Sequence, residues 1–188
     1  MGSKPERPGG GQGRGPVNDL DAFNLATLIA RVWLGAIFLA HGWRHFKSIR
    51  SGPGMANWFE SLGLKHGKLQ ALNVTYLELA AGAALVLGLL TPLAYGGAAS
   101  IVFVALVTNH LKNGFWSFAP GEGWEYTGTL TALCIALATF SPGEWSLDDA
   151  IGWDFPFEPA TALTISALIG IVGTGVFLAI FWRPPAKS

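Results

Sequence analysis

The stretch AFNLATLIARVWLGAIFLAHGWRHF, residues 22–46, decides the fold of this chain. It is long enough to cross a bilayer, because a membrane-spanning helix takes about 20 predominantly apolar residues. Further apolar runs follow at residues 72–90, 93–111, 124–140 and 161–182. The sequence therefore predicts an all-α protein, a transmembrane helical bundle in which an extra C-terminal span follows a four-helix core.

Composition points to the same class of protein. Hydrophobic residues make up 51% of the 188 residues and charged residues 13%, whereas soluble proteins carry about 25% charged residues. Because the mean hydropathy is also high, at +0.40, the lipid bilayer is the expected partner. The net charge is zero and no basic block stands out, so no nucleic-acid partner is expected. With Cys134 as the single cysteine, we predict no disulfide framework and no metal site.

We divide the chain into three regions. Residues 1–20 are rich in glycine and proline, which predicts a disordered tail. Residues 21–150 hold the four-helix transmembrane core. Residues 151–188 hold a connector, the fifth transmembrane helix and a short C-terminal tail.

Two local patterns indicate how the spans are covered and packed. Apolar residues at helical spacing predict a short interfacial helix near residues 55–63 that covers one end of the bundle: Met55, Trp58, Phe59 and Leu62. Small residues crowd positions 80–84 and 96–100, and they recur at every fourth position in the last span. Such residues allow helix backbones to approach closely in a membrane.

The loops differ in charge between the two faces of the predicted bundle. We call the face that holds the N-terminus side A and the opposite face side B. Most lysine and arginine residues lie on side B, whereas the loops of side A are rich in aspartate and glutamate. Because cytoplasmic loops carry the excess of basic residues, side B is predicted to face the cytoplasm.

Ionisable residues within the spans mark the candidate site, because such groups are costly in a bilayer. The helical rise places His41 about 5 Å and Glu78 about 9 Å below the side-B boundary of the membrane. We expect a shared polar pocket open to side B, with the long side chain of Arg31 leaning toward Glu78. Four further residues fall within a turn of the same boundary and complete this set: Asn109, His110, Glu125 and Tyr126.

Simpler interpretations of some of these residues stay open. His41 and His110 are also explained as interfacial residues solvated by lipid headgroups. Glu125 is also explained by a helix N-terminus, where a negative charge meets the positive end of the helix dipole. His45 and His66 follow Arg44 and Lys65 directly and are interpreted as surface residues.

Several motifs in order resemble the DoxX family of small integral membrane proteins. The first are RVWLGAIFLAHG at residues 31–42 and WFESLG at residues 58–63, and LELAAGAALVLGLLTP follows at residues 77–92. Shorter motifs continue the resemblance: NGF at 113–115, GWEY at 123–126 and SPGEWSLD at 141–148. The resemblance covers roughly residues 25–148. The family core has four helices, so the fifth span of this chain is a departure from it.

The resemblance implies a multi-pass protein of the plasma (inner) membrane that is linked to quinone-coupled redox chemistry. The family is similar to the membrane subunits of archaeal thiosulfate:quinone oxidoreductase, and actinobacterial relatives are linked to superoxide dismutase and a sulfurtransferase. The expected function is that of a membrane subunit of a quinone-linked oxidoreductase in thiosulfate or thiol redox or in oxidative stress. Its expected partners are soluble redox enzymes or a second membrane subunit.

The quinone hypothesis gives each site residue a role. His41 would bond a quinone carbonyl and exchange a proton, since imidazole titrates near neutral pH. Glu78 would relay protons and Arg31 would hold its charge. The candidate cofactor-contacting residues are Trp43, His110, Glu125 and Tyr126. A haem held by His41 and His110 is disfavoured.

Two other functions fit the same sequence, so whether the chain is an enzyme stays open at this point. One is a non-catalytic membrane scaffold that docks soluble redox enzymes through the loops of side B. The other is a small proton-coupled transporter, because buried arginine, histidine and glutamate also suit a proton relay.

Overall fold

The computed structural model describes residues 19–140, 142–153 and 158–185. Most of the predicted tail therefore lies outside the described residues, and Asp19 begins the first helix. The helices of the described part, in chain order, are α1 (Asp19–Ser51), α2 (Gly54–Ser61), α3 (Gly67–Leu87), α4 (Thr91–Asn113), α5 (Glu125–Leu137), α6 (Leu147–Ala150) and α7 (Pro159–Phe181).

The prediction of an all-α transmembrane bundle is confirmed. Within the described residues, four helices are long and apolar enough to cross a membrane: α1, α3, α4 and α7. The predicted fourth span is shorter than expected, because α5 has 13 residues and a length of about 20 Å. The loop before α5 and the turn at Thr139 and Phe140 take up the remaining apolar residues of that run.

Small residues bring α1 and α3 close together, as the sequence indicated. A Cβ atom added to Gly35 would lie 2.7 Å from the Gly82 carbonyl oxygen, and one added to Gly82 would lie 2.9 Å from the Gly35 carbonyl oxygen. Both glycines are thus required by the close approach of the two backbones. The core that these helices share with α4 and α5 includes Phe38, Leu85 and Cys134.

The last helix, α7, packs against α4. The hydroxyl groups of Ser100 and Thr174 lie 2.8 Å apart across this contact. A Cβ atom added to Gly170 would lie 2.8 Å from the Cβ of Ala99, so this position also needs a small residue. The repeated small residues of the last span therefore face α4.

The amphipathic helix predicted near residues 55–63 is present as α2. Met55 and Phe59 are buried beneath it, whereas Trp58 is exposed on its outer face. The end of α7 holds the segment that follows α2: the Lys65 N–H donates to the Phe181 carbonyl over 2.8 Å, and the Trp182 indole donates to the Leu62 carbonyl over 2.9 Å. The fifth span thereby fixes the cover of side B.

Candidate functional site

A cavity of about 1040 Å³ lies in the side-B half of the bundle. It is bounded by the C-terminal part of α1, by α2, by the N-terminal half of α3, by α4 and α5, and by Phe177 of α7. Much of its lining is apolar, including Phe38, Phe59, Leu130 and Phe177. The polar and ionisable side chains of its wall include His41, Arg44, His45, Gln70, Asn73, Tyr76, Glu78, Asn109, His110, Glu122 and Tyr126.

Glu78 forms the polar centre of one wall. The side chain is only 5% exposed, and its Oε2 atom lies 2.6 Å from Nδ1 of His45. His41 lies one turn before His45, and the ligand atoms of these three side chains all lie within 4.8 Å of one another. A buried carboxylate and two imidazoles therefore meet at the apolar surface of the cavity.

A glycine in α1 allows His41 and His45 to approach Glu78. Gly42 lies on the face of α1 that contacts α3, and a Cβ atom added to it would lie 2.9 Å from Cγ of Leu79 and 3.1 Å from Cβ of Glu78. The missing side chain brings the two helices together at the level of Glu78. His41 and His45, on either side of Gly42, can therefore reach across to the carboxylate.

The predicted pairing of Arg31 with Glu78 is wrong. The guanidinium of Arg31 donates to the carbonyl oxygens of Leu85 at 3.3 Å and Val86 at 3.5 Å, at the end of α3. It also donates to the carbonyl oxygen of Trp145 at 2.8 Å. Arg31 is 1% exposed and closes the side-A end of the bundle.

The physical reason is the direction in which helical side chains lean. Side chains tilt toward the N-terminus of their own helix, and α1 begins at side A whereas α3 begins at side B. Arg31 therefore leans toward side A, and Glu78 leans toward side B. His45 lies near the side-B end of α1 and also leans toward side A. Its ring therefore meets the Glu78 carboxylate, which leans toward side B.

The segment around Trp145 seals side A through a second set of contacts. Asn24 of α1 donates to the Glu144 carboxylate over 3.0 Å and accepts from the Glu144 N–H over 3.0 Å. The Asp148 carboxylate accepts the N–H of Leu90 over 2.9 Å at the start of α4. Residues 142–148 of this motif thus stabilise side A of the bundle, away from the cavity.

The parts of the cavity lining that come from α4 and α5 include His110 and Tyr126. Nδ1 of His110 lies 2.8 Å from the Glu122 carbonyl oxygen, and the Asn113 amide donates to the carbonyl oxygens of Asn109 and Gly121. These bonds fix the loop between α4 and α5 against the end of α4. His41, Glu78, His110 and Tyr126 all belong to the lining of this one cavity.

Trp43 and Glu125 lie outside the lining of this cavity. Trp43 is 57% exposed and stacks on Phe46 with ring centroids 5.6 Å apart. The Glu125 carboxylate accepts from the N–H and the hydroxyl of Ser117, each over 3.1 Å. Glu125 begins α5, so the simpler interpretation as a helix N-terminal residue fits its position.

The sequence prediction missed the role of His45 as the partner of Glu78, because the neighbouring Arg44 indicated a surface position. A signal was present in the spacing. His41 and His45 are four residues apart, which places two imidazoles on the same face of one helix. Asn73, on α3, was missed as well and lines the same cavity.

Comparison with known proteins supports the family resemblance. Residues 26–111 match the family model DoxX, which covers most of α1 together with α2, α3 and nearly all of α4. No curated protein and no solved structure matches the chain. The matched segment contains His41, His45, Glu78 and His110, whereas α5 and α7 lie beyond it.

Proposed function

We propose that the side-B cavity of this membrane protein, whose residues 26–111 match the DoxX family model, binds the head group of a quinone. In this proposal the chain is the membrane subunit of a quinone-linked oxidoreductase that serves thiosulfate or thiol redox or the response to oxidative stress. A soluble redox enzyme or a second membrane subunit supplies the electrons.

The observation that carries the proposal is the pair of half-buried His45 and buried Glu78 in the wall of the cavity. Binding pockets for small molecules are mostly apolar, with a few placed polar groups, and measure about 300–1,000 Å³. The cavity here has a volume of about 1040 Å³. It has room for a quinone ring and the first part of its apolar tail.

The polar walls suit the protons that accompany quinone reduction. A quinone becomes a quinol by taking up protons as well as electrons, and imidazole and carboxylate groups can exchange them. His45 and Glu78 line the cavity from α1 and α3, and His110 and Tyr126 line it from α4 and α5. The two carbonyl groups of a quinone ring lie on opposite edges, so each pair would bond one of them.

The electron donor belongs to a partner in this proposal. The one thiol of the sequence, Cys134, is fully buried in the core and is not available for exchange. The end of α1 presents Arg44, Lys47 and Arg50 as exposed side chains on side B. This cationic surface adjoins the cavity and suits an acidic surface on the donor protein.

The test is the quinone content of the purified protein. The chain is extracted with its lipid in mild detergent, and bound menaquinone and ubiquinone are quantified per chain. We expect bound quinone in the wild type and a loss of at least fivefold in His45→Ala and in Glu78→Gln. Glu158→Gln is the matched control, because Glu158 is exposed on side A. Protein without bound quinone that also fails to bind a short-chain quinone analogue contradicts the proposal.

The exposed cationic surface favours a second candidate function, a scaffold that docks soluble redox enzymes without catalysis of its own. Reversing the charges with Arg44→Glu, Lys47→Glu and Arg50→Glu should then abolish co-purification of the partner enzymes. Under this function His45→Ala leaves the partners bound and changes no rate of quinone reduction. A lower rate of quinone reduction in His45→Ala, with the partners still bound, supports the quinone site instead.

A further inference from the structure

We propose that His41, His45 and Glu78 form a binding site for a divalent first-row transition metal ion. Each side chain offers one ligand atom, and these atoms all lie within 4.8 Å of one another. Two of the ligands come from successive turns of α1, and the third comes from α3. The proposal goes beyond quinone binding and does not depend on it.

The ligand set selects a class of metal. Two imidazoles and one carboxylate suit ions such as Fe²⁺, Zn²⁺ and Co²⁺, whereas Mg²⁺ and Ca²⁺ prefer sites built from oxygen atoms. The same set, on one face of the ion, holds the iron of many oxygen- and redox-active sites. The site therefore has the chemistry of a transition metal centre.

The distances are close to those that a metal needs. Ligand nitrogen and oxygen atoms lie about 2.0–2.2 Å from a zinc ion, which puts tetrahedral ligands about 3.4 Å apart. Nδ1 of His45 and Oε2 of Glu78 are 2.6 Å apart, so this pair must open by about 1 Å. His41 is exposed to the cavity, and its ring can close on the ion by side-chain rotation.

The burial of the Glu78 carboxylate favours a bound cation. Glu78 lies within a span and is 4% exposed, and an ionised carboxylate at such a place is costly unless it is paired. A divalent ion bound to the carboxylate would offset that charge. Gly42 supports the same geometry, because it brings α1 and α3 together between the two histidines.

The site would keep open positions. Three protein ligands leave at least one coordination position for a small molecule, as in catalytic zinc sites. This position would face the cavity, which the three side chains line. Because one carboxylate does not neutralise a divalent ion, and because Arg44 lies on the same lining, the open position suits an anionic ligand such as hydroxide, a thiolate or an oxyanion.

The test is metal binding by the full-length protein in detergent, purified without a polyhistidine tag. The protein is stripped with a chelator and titrated with Co²⁺, which reports ligation by its visible absorption, and then with Zn²⁺ as a competitor. We expect one Co²⁺ per chain, displaced by Zn²⁺, and binding at least tenfold weaker in His41→Ala, His45→Ala and Glu78→Gln. The metal content of protein purified without added metal is measured in parallel.

The matched control is His66→Asn. It removes a histidine outside the site, and asparagine tolerates the left-handed backbone of residue 66, where φ is 59°. Metal binding should be unchanged in this variant. His41→Ala is decisive if Glu78→Gln fails to fold, because His41 is exposed and its loss should be tolerated.

Two results overturn the proposal: no Co²⁺ or Zn²⁺ binding by the wild type, or binding that is unchanged in His41→Ala. Quinone content is measured on metal-free protein, so the two proposals fail separately. Metal binding without quinone supports the metal site alone, and quinone binding without metal leaves His45 and Glu78 as a proton-exchanging pair.

Discussion

The guanidinium of Arg31, within the first span, donates to the backbone carbonyl of Trp145 over 2.8 Å. This bond joins residues 114 positions apart in the chain and closes side A of the bundle. The same guanidinium bonds the carbonyl oxygens at the end of α3, so one buried cation holds three segments together. Side A is thus sealed by a structural arginine, and the cavity lies in the other half of the protein.

Arg31→Met should lower the stability of the protein substantially. A hydrogen bond from a charged donor is worth about 1.5–3 kcal/mol, and Arg31 makes such bonds to Leu85, Val86 and Trp145. We expect the Tm of the detergent-purified protein to fall by about 10 °C or more. Arg50→Met is the control, because the Arg50 guanidinium is exposed and lies 5.6 Å from the centre of the Phe46 ring. Equal Tm changes in the two variants would contradict this role of Arg31.

The contrast between Arg31 and Glu78 shows what the sequence could predict at this site. Spacing along the spans placed His41 and Glu78 near one boundary of the membrane, and both line one cavity. The depth of a residue in the membrane did not identify its hydrogen-bond partner, because the side chains of two antiparallel helices tilt in opposite directions. Once that lean is included, Glu78 reaches His45, and Arg31 reaches the opposite end of α3.

Gly88→Ala should destabilise the same seal. Gly88 ends α3 with φ of 67°, a backbone conformation that costs about 1–3 kcal/mol for a residue with a side chain. An added Cβ would also overlap the Arg31 guanidinium and lie 2.6 Å from Cβ of Ser146. Unfolding monitored by circular dichroism should therefore show a lower Tm.

Gly175→Ala provides the comparison for Gly88→Ala. Gly175 lies within α7, and an added Cβ there meets no atom within 4 Å. Alanine is better than glycine in a helix interior by about 1 kcal/mol, so the Tm of this variant should hold or rise. A Tm for Gly88→Ala as high as that for Gly175→Ala would show that the turn does not need glycine.

The five apolar helices and the interfacial helix α2 followed from the sequence, but the length of α5 and the short helix α6 did not. The apolar run at residues 124–140 predicts a full span, whereas the helix ends at Leu137. The chain turns there through bonds such as that from the Thr139 hydroxyl to the Ala136 carbonyl, at 2.6 Å. Apolar composition reports which residues avoid water, and it does not report where the backbone leaves the helix.

Trp182→Phe should loosen the cover of side B. The substitution keeps an aromatic ring but removes the N–H that donates to the Leu62 carbonyl over 2.9 Å. A lost hydrogen bond of about 1 kcal/mol raises the population of an open cover about fivefold. We expect trypsin to cut after Lys65 several times faster in this variant, as measured by mass spectrometry of the fragments.

Trp116→Phe is the matched control for that experiment, because Trp116 is 55% exposed on the loop between α4 and α5. Its cleavage rate after Lys65 should equal that of the wild type. A rate for Trp182→Phe that also equals the wild-type rate would show that the end of α7 does not hold the segment after α2.

Labelling of single introduced cysteines should place side B in the cytoplasm. The one native thiol, Cys134, is 0% exposed, so it gives little background. Ser51→Cys lies at the end of α1 on side B, and Ala150→Cys lies at the end of α6 on side A; both positions are exposed. In intact spheroplasts a membrane-impermeant maleimide should label Ala150→Cys only, and Ser51→Cys should react after lysis. The reverse pattern would put the basic loops outside, against the positive-inside rule, and any soluble partner of the cavity would then have to act from the outer face.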